Sequence, residues 1–250
     1  MGQARYSLWT VALVLTLGPF AAAANSTRAC DSSPRLIGAF GAMDVPKPPL
    51  ATGPEITSQL PEGSLIRGEQ VTEIAPSGER IIMYDAKDDS EPNPRIAIVV
   101  NAAIVKTYEI SKLVEYGEGA TYATSCEFEI APGQRALAVA YTLSGDGTGS
   151  AFIVLTWWGG EYRVAFHRTV GQGRLVLGSG TLRLWERTFG KYASRPDSDK
   201  FECEWCKHKY LITELAWQHG DYVKTRIKRT PTSYDPAEIT GTPILIETKP

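Results

Sequence analysis

The residues best suited to chemistry are Cys203 and Cys206, a Cys-x-x-Cys pair with Trp205 inside it and His208 two residues on. Three chemistries use such a pair. A structural zinc site is closed by four ligands, and Cys203, Cys206 and His208 supply three. A redox dithiol normally sits at a helix N-terminus in a βαβ setting, where the dipole lowers the thiol pKa. Here the pair runs into "KYLITELAW", which reads as a strand. A local disulfide that fixes the turn before the last hairpin suits this context best. The chain has four cysteines, so Cys30 and Cys126 are then left for each other. That second bridge would close a long loop, where the chain-entropy gain is largest.

Other constellations are sparser. The three histidines, His167, His208 and His219, form no His-Glu-x-x-His, and no Gly-x-Ser-x-Gly elbow is present. Glu127 and Glu129 fall on one face of a strand, where cross-strand salt pairing is expected of them. Glycosidase carboxylates are brought together by the fold and not by spacing, so a hydrolase is not ruled out by sequence. The loop "YDAKDDSEPN" offers Asp85, Asp88 and Asp89 as oxygen ligands ahead of a strand, and Asp146 stands in a second glycine-rich loop. Calcium is the cation such carboxylate loops could take, against the plainer reading of a solvated charged loop. Trp157, Tyr162, Trp217 and Tyr222 could form an aromatic face for sugar rings, or fill the core and clamp hairpins. Lys224, Arg226 and Lys228 alternate with Val223, Thr225 and Ile227, which predicts a basic face on one side of the last long strand.

The elements that must position these residues begin after an export signal. Arg5, the apolar stretch "SLWTVALVLTLGPF" and Ala22 and Ala24 fit a secretory signal peptide over residues 1–24. Its apolar run is shorter than the roughly 20 residues of a spanning helix. The expected location is secreted or periplasmic, where disulfides persist. The chain carries 26 basic and 28 acidic residues, a net charge of −2. Such a balance speaks against general nucleic-acid binding, which takes a basic domain. Residues 25–64 hold Pro46, Pro48, Pro49, Pro54 and Pro61 and read as an extended arm. From 65 to 232, short β-branched and aromatic runs alternate with Gly, Asn, Asp and Pro, the signature of an all-β domain. Residues 233–250 read as a C-terminal tail. No helix is predicted with conviction, the best candidate being "YEISKLVEYG".

Two stretches match at an offset of 60. "AFIVLTWWGGEYRVAFHRT" from Ala151 aligns with "LITELAWQHGDYVKTRIKR" from Leu211, pairing Trp157 with Trp217, Gly160 with Gly220 and Tyr162 with Tyr222. Each reads as strand, tight turn and strand. Arg95 to Ile110 has the same texture with Asn101 at its turn and suggests a third copy. Repeated antiparallel hairpins build propeller-like or sandwich-like bodies.

The stretch "TLSGDGTGSAFIVL", Thr142 to Leu155, resembles the FG-GAP or VCBS type of β-propeller repeat, in which an acidic calcium loop precedes a strand. That resemblance implies calcium near Asp146. "CEWC", a following Tyr, then a Trp and a hairpin resemble uncharacterised exported bacterial proteins, a resemblance that carries no activity with it. The combined expectation is an exported, non-enzymatic binding or structural module whose ligand the sequence does not identify, with a glycan or cell-surface ligand as the candidate. The alternatives are a secreted glycan hydrolase with fold-assembled carboxylates and a thiol–disulfide protein using Cys203.

Overall fold

Apolar strands that must hide both faces set this architecture. "RALAVAYTL" and "AFIVLTW" carry apolar residues at consecutive positions, so neither face of such strands can meet water. A computed structural model describes residues 52–88, 91–114, 119–143, 149–187 and 206–247. It is mostly β, with three sheets, none closed into a barrel. The first sheet is the antiparallel meander β1 (Leu65–Thr72), β2 (Glu79–Asp88), β3 (Glu91–Val100) and β4 (Ala103–Glu109). The middle sheet repeats that order with β5 (Ala120–Ala131), β6 (Gln134–Leu143), β7 (Ser150–Trp158) and β8 (Glu161–Val170). The third contains β9 (Gly173–Gly178), β10 (Thr181–Arg187), β11 (Tyr210–Gln218) and β12 (Asp221–Arg229). There β13 (Ile244–Ile246) adds in parallel beside β9.

The middle sheet is buried on both sides. Leu137, Val139 and Tyr141 of β6 pack with Ile81, Met83, Ile96 and Ile98 of the first sheet. Ala136, Ala138 and Ala140, on the other face of the same strand, pack with Leu175, Leu177, Leu182 and Leu184 of the third. Truncating one of these buried leucines to alanine should cost about 2–5 kcal/mol, because transfer and cavity terms add. The far face of the first sheet, with Ile82, Tyr84 and Val99, is covered by Ile56 and Leu60. Ile56 belongs to the short helix α1 (Pro54–Thr57), within the segment expected to be extended. A second short helix, α2 (Pro236–Thr240), is capped by Asp235, whose carboxylate accepts the Ala237 amide at 2.9 Å. So the residues read as a tail carry α2 and an added strand. Of "YEISKLVEYG", the described residues, 108–114, form one 3-10 turn, at Ile110–Lys112.

The outer hairpin of each sheet turns on two residues of positive φ. These are Asn101–Ala102, Gly159–Gly160 and His219–Gly220. Two-residue turns of this kind match the twist of the flanking strands. In the middle and third sheets the likeness extends further. Trp157 faces Tyr162 and Trp217 faces Tyr222, and the register slips between Val154 and Leu155 and again between Glu214 and Leu215. In the first sheet the slip falls between Ile98 and Val99, nearer the turn.

That bulge corrects the expected basic face of β12. Lys224 pairs opposite Leu215, whose side chain enters the core, whereas Arg226 pairs opposite Glu214 on the far face. The extra residue, Thr225, breaks the alternation, so Lys224 parts from Arg226 and Lys228. Lys228 then binds Glu214 at 2.5 Å, and that bond holds the Glu214 carboxyl below its ordinary range.

Candidate functional site

A shallow groove of about 380 Å³ lies where the tips of two outer hairpins meet the β1–β2 loop. Val100, Val105 and Lys106 come from the β3–β4 hairpin, Trp157, Gly160, Glu161 and Tyr162 from the β7–β8 hairpin, and Ser77 from the loop. Two hydrogen bonds lock the hairpins together, since Lys106 Nζ and the Tyr108 hydroxyl both donate to the Tyr162 carbonyl, at 2.6 and 2.8 Å. The Lys106 ammonium also lies 5.3 Å from the Tyr108 ring centroid. Burial, then the negative charge of Glu161, push the Tyr108 phenol up to about 12.

Near Tyr162 lies the buried carboxyl of Glu79, only 4% exposed. It accepts from Thr72 Oγ1 at 2.9 Å, from the Ile74 amide at 3.0 Å and from the Ala75 amide at 3.1 Å. Those bonds fasten the loop that presents Ser77. Desolvation raises the Glu79 pKa above its ordinary value, against the three hydrogen bonds that lower it, and the charge of Glu127 adds to the rise. Tyr162 packs close by. Its phenol is raised by burial first and by the Glu79 charge second.

The structure divides the four expected ligand-binding aromatics. Trp157 meets Tyr162 edge to face, with centroids 4.6 Å apart, and Trp157 lines the groove while the Tyr162 ring is 6% exposed. Trp217 and Tyr222 form the equivalent pair at 5.2 Å. There Trp158 of the middle sheet packs on Trp217 at 5.7 Å and Phe166 approaches Tyr222 at 6.5 Å. That second clamp joins the middle and third sheets. Among the described residues no ring contact joins the two clamps, so they do not make one continuous aromatic face.

The remaining expected residues are scattered. Glu127 is paired with Arg135 and also accepts the Glu73 amide at 3.4 Å, while Glu129 accepts the Gly133 amide at 3.1 Å. The cross-strand salt pair therefore forms at Glu127. Asp85 is buried and binds Arg67 Nε at 2.5 Å, and Asp88 ends β2 opposite Glu91. Asp89 and Asp146 lie outside the described residues. Among the described residues, no group of three or more His, Cys, Asp or Glu is placed to hold a metal ion. Neither described cysteine, Cys126 or Cys206, is a free thiol. No disulfide joins described residues, and the expected pairing with Cys30 and Cys203 lies outside them. His167 and His219 are exposed, and His208 is buried with its backbone bridged to Tyr234.

Sequence reasoning did not single out Ser77, Glu79 or Lys106. The available signal was Glu79 itself, an acid standing between the "APSG" turn and the apolar run "IIMY". Among the described residues no helix is long and apolar enough to cross a membrane. No protein family, curated protein or solved structure matches the chain.

Proposed function

We propose that the chain is an exported, non-enzymatic binding module that holds a glycan in the groove under Trp157. The observation that carries this reading is the half-buried Trp157 ring set among Lys106, Ser77 and Glu161 in one concavity. An indole offers a flat apolar face to a sugar ring, and the polar groups around it supply orientation. The hydrolase alternative has less support. Two carboxyls whose charges act on each other, Glu79 and Glu127, are engaged in fastening a loop and in pairing with Arg135. Three four-stranded meanders in succession, with corresponding outer hairpins, support reading them as blade-like repeats of the FG-GAP or VCBS kind. The even cysteine count supports Cys203–Cys206 and Cys30–Cys126 disulfides, and the N-terminal pattern supports export.

A glycan array probed with the mature protein tests the groove. Trp157→Ala and the exposed Glu161→Ala should each weaken the captured glycan at least tenfold while the fold stays intact by circular dichroism. Unchanged retention by both variants would remove the groove from the reading. Release of new reducing ends from pooled polysaccharides would replace binding with hydrolysis.

A further inference from the structure

On the far face of the third sheet, away from the groove, three hydrogen-bond donors are buried without a partner among the described residues. They are Arg174 Nε, Trp185 Nε1 and the Tyr210 hydroxyl. Such donors are rare in folded chains, because each gives up its water without replacement. Here they are neighbours. Arg174 on β9 pairs directly with Trp185 on β10, and Arg187, two residues along β10, pairs with Tyr210 on β11. Register puts all four side chains on one face. The Arg174 guanidinium carbon lies 5.8 Å from the Trp185 ring centroid, and the Trp185 and Tyr210 rings are 6.4 Å apart. Tyr234 closes over Trp185 edge to face at 5.3 Å.

We infer that this face binds a compact oxyanion through Arg174, Trp185 and Tyr210. The charges agree with that assignment. Arg187 is 6% exposed and reaches Gln172 through Nη1 at 3.1 Å, so a second guanidinium is fixed beside the Tyr210 phenol. Arg174 makes no ion pair with a described residue. The two nearby acids do not fill the place. Asp235 is engaged in capping α2, and exposed Glu238 acts on Arg174 only through space. The Arg174 guanidinium and the Trp185 indole N–H can only donate, and the Tyr210 hydroxyl beside them can donate too. A tetrahedral or carboxylate oxyanion accepts from such donors, whereas a cation or a neutral amide carbonyl would leave the Arg174 charge uncompensated. The oxyanion could be free, as inorganic phosphate or sulfate, or could be the acidic group of a uronate or sulfated sugar polymer.

The test uses the mature protein with phosphate, sulfate and acetate, each against sodium chloride at matched ionic strength. Thermal midpoint and tryptophan emission are read together, since Trp185 is part of the site. The expected result is a midpoint rise and an emission change specific to the oxyanion. Arg174→Met keeps the apolar stem over Trp185 and should weaken binding at least tenfold. Tyr210→Phe keeps the ring and removes the hydroxyl, so it should leave ion-free stability unchanged or higher while weakening the ion. A heparin arm separates the sources. Competition between heparin and phosphate assigns the site to an acidic polymer, and binding of the small ions alone assigns it to the free ion. Midpoint shifts no larger than chloride gives, or equal shifts in the wild type and Arg174→Met, would overturn the inference. So would a Tyr210→Phe variant that loses stability without losing the ion.

Discussion

Replacing Glu79 by alanine tests how the β1–β2 loop is held. The carboxyl is the acceptor for three donors, Thr72 Oγ1, the Ile74 amide and the Ala75 amide, all in buried surroundings. Removing it orphans them. Each unsatisfied buried donor costs about 1–3 kcal/mol, and some water will enter the space the side chain leaves. The net loss for Glu79→Ala should therefore be about 3–5 kcal/mol. Glu79→Gln keeps one acceptor oxygen and should cost about 1 kcal/mol, the scale of one lost hydrogen bond. The pH dependence separates them further. Burial raises the folded-state pKa above the ordinary 4.5, so the folded chain keeps its proton to higher pH than the unfolded chain. This group's contribution is therefore fully present below 4.5 and is lost as pH rises through the folded value. Urea unfolding from pH 4 to pH 8 reads both effects, and hydrogen exchange at the Ile74 and Ala75 amides reads the loop alone. The reasoning fails if Glu79→Ala loses less than about 1 kcal/mol, or if the wild-type pH slope survives unchanged in Glu79→Gln.

Further expectations concern backbone positions. A methyl at Gly173 would stand 2.2 Å from the Trp185 carbonyl oxygen, which strand pairing holds in place. Gly173→Ala should lower stability by about 3 kcal/mol in denaturant melts, the upper range for overpacking. Ala102 and His219 carry positive φ, +62° and +52°, where a side chain is strained by about 1–2 kcal/mol. Ala102→Gly and His219→Gly should each raise the midpoint of thermal unfolding, with the net gain trimmed to about 1 kcal/mol by the entropy of the added glycine.

The strands and the two matched hairpins were readable because Trp, Gly, an acid and Tyr recur at fixed intervals around each turn. The β3–β4 hairpin was fainter, since Ala102 occupies a turn position that glycine fills in the other two. The phase of Lys224, Arg226 and Lys228 was misread because a bulge leaves no mark in the pattern of residue types. β13 was missed because its three residues gain their place only from a parallel partner distant in sequence. The groove was not legible at all. Its parts come from Ser77, Lys106 and Trp157, on two sheets and a loop, and only packing between layers makes them neighbours.

The two buried faces of the middle sheet make the outer layers dependent on each other. Peeling away either one would open half of β6 and β7 to water, with Leu137, Val139 and Ile153 on one side or Ala138, Phe152 and Val154 on the other. A protease that removed the first sheet would leave a remnant with an adhesive apolar surface. Trimming could not stop at a soluble core, so partial digestion should yield either intact chain or small peptides and aggregate.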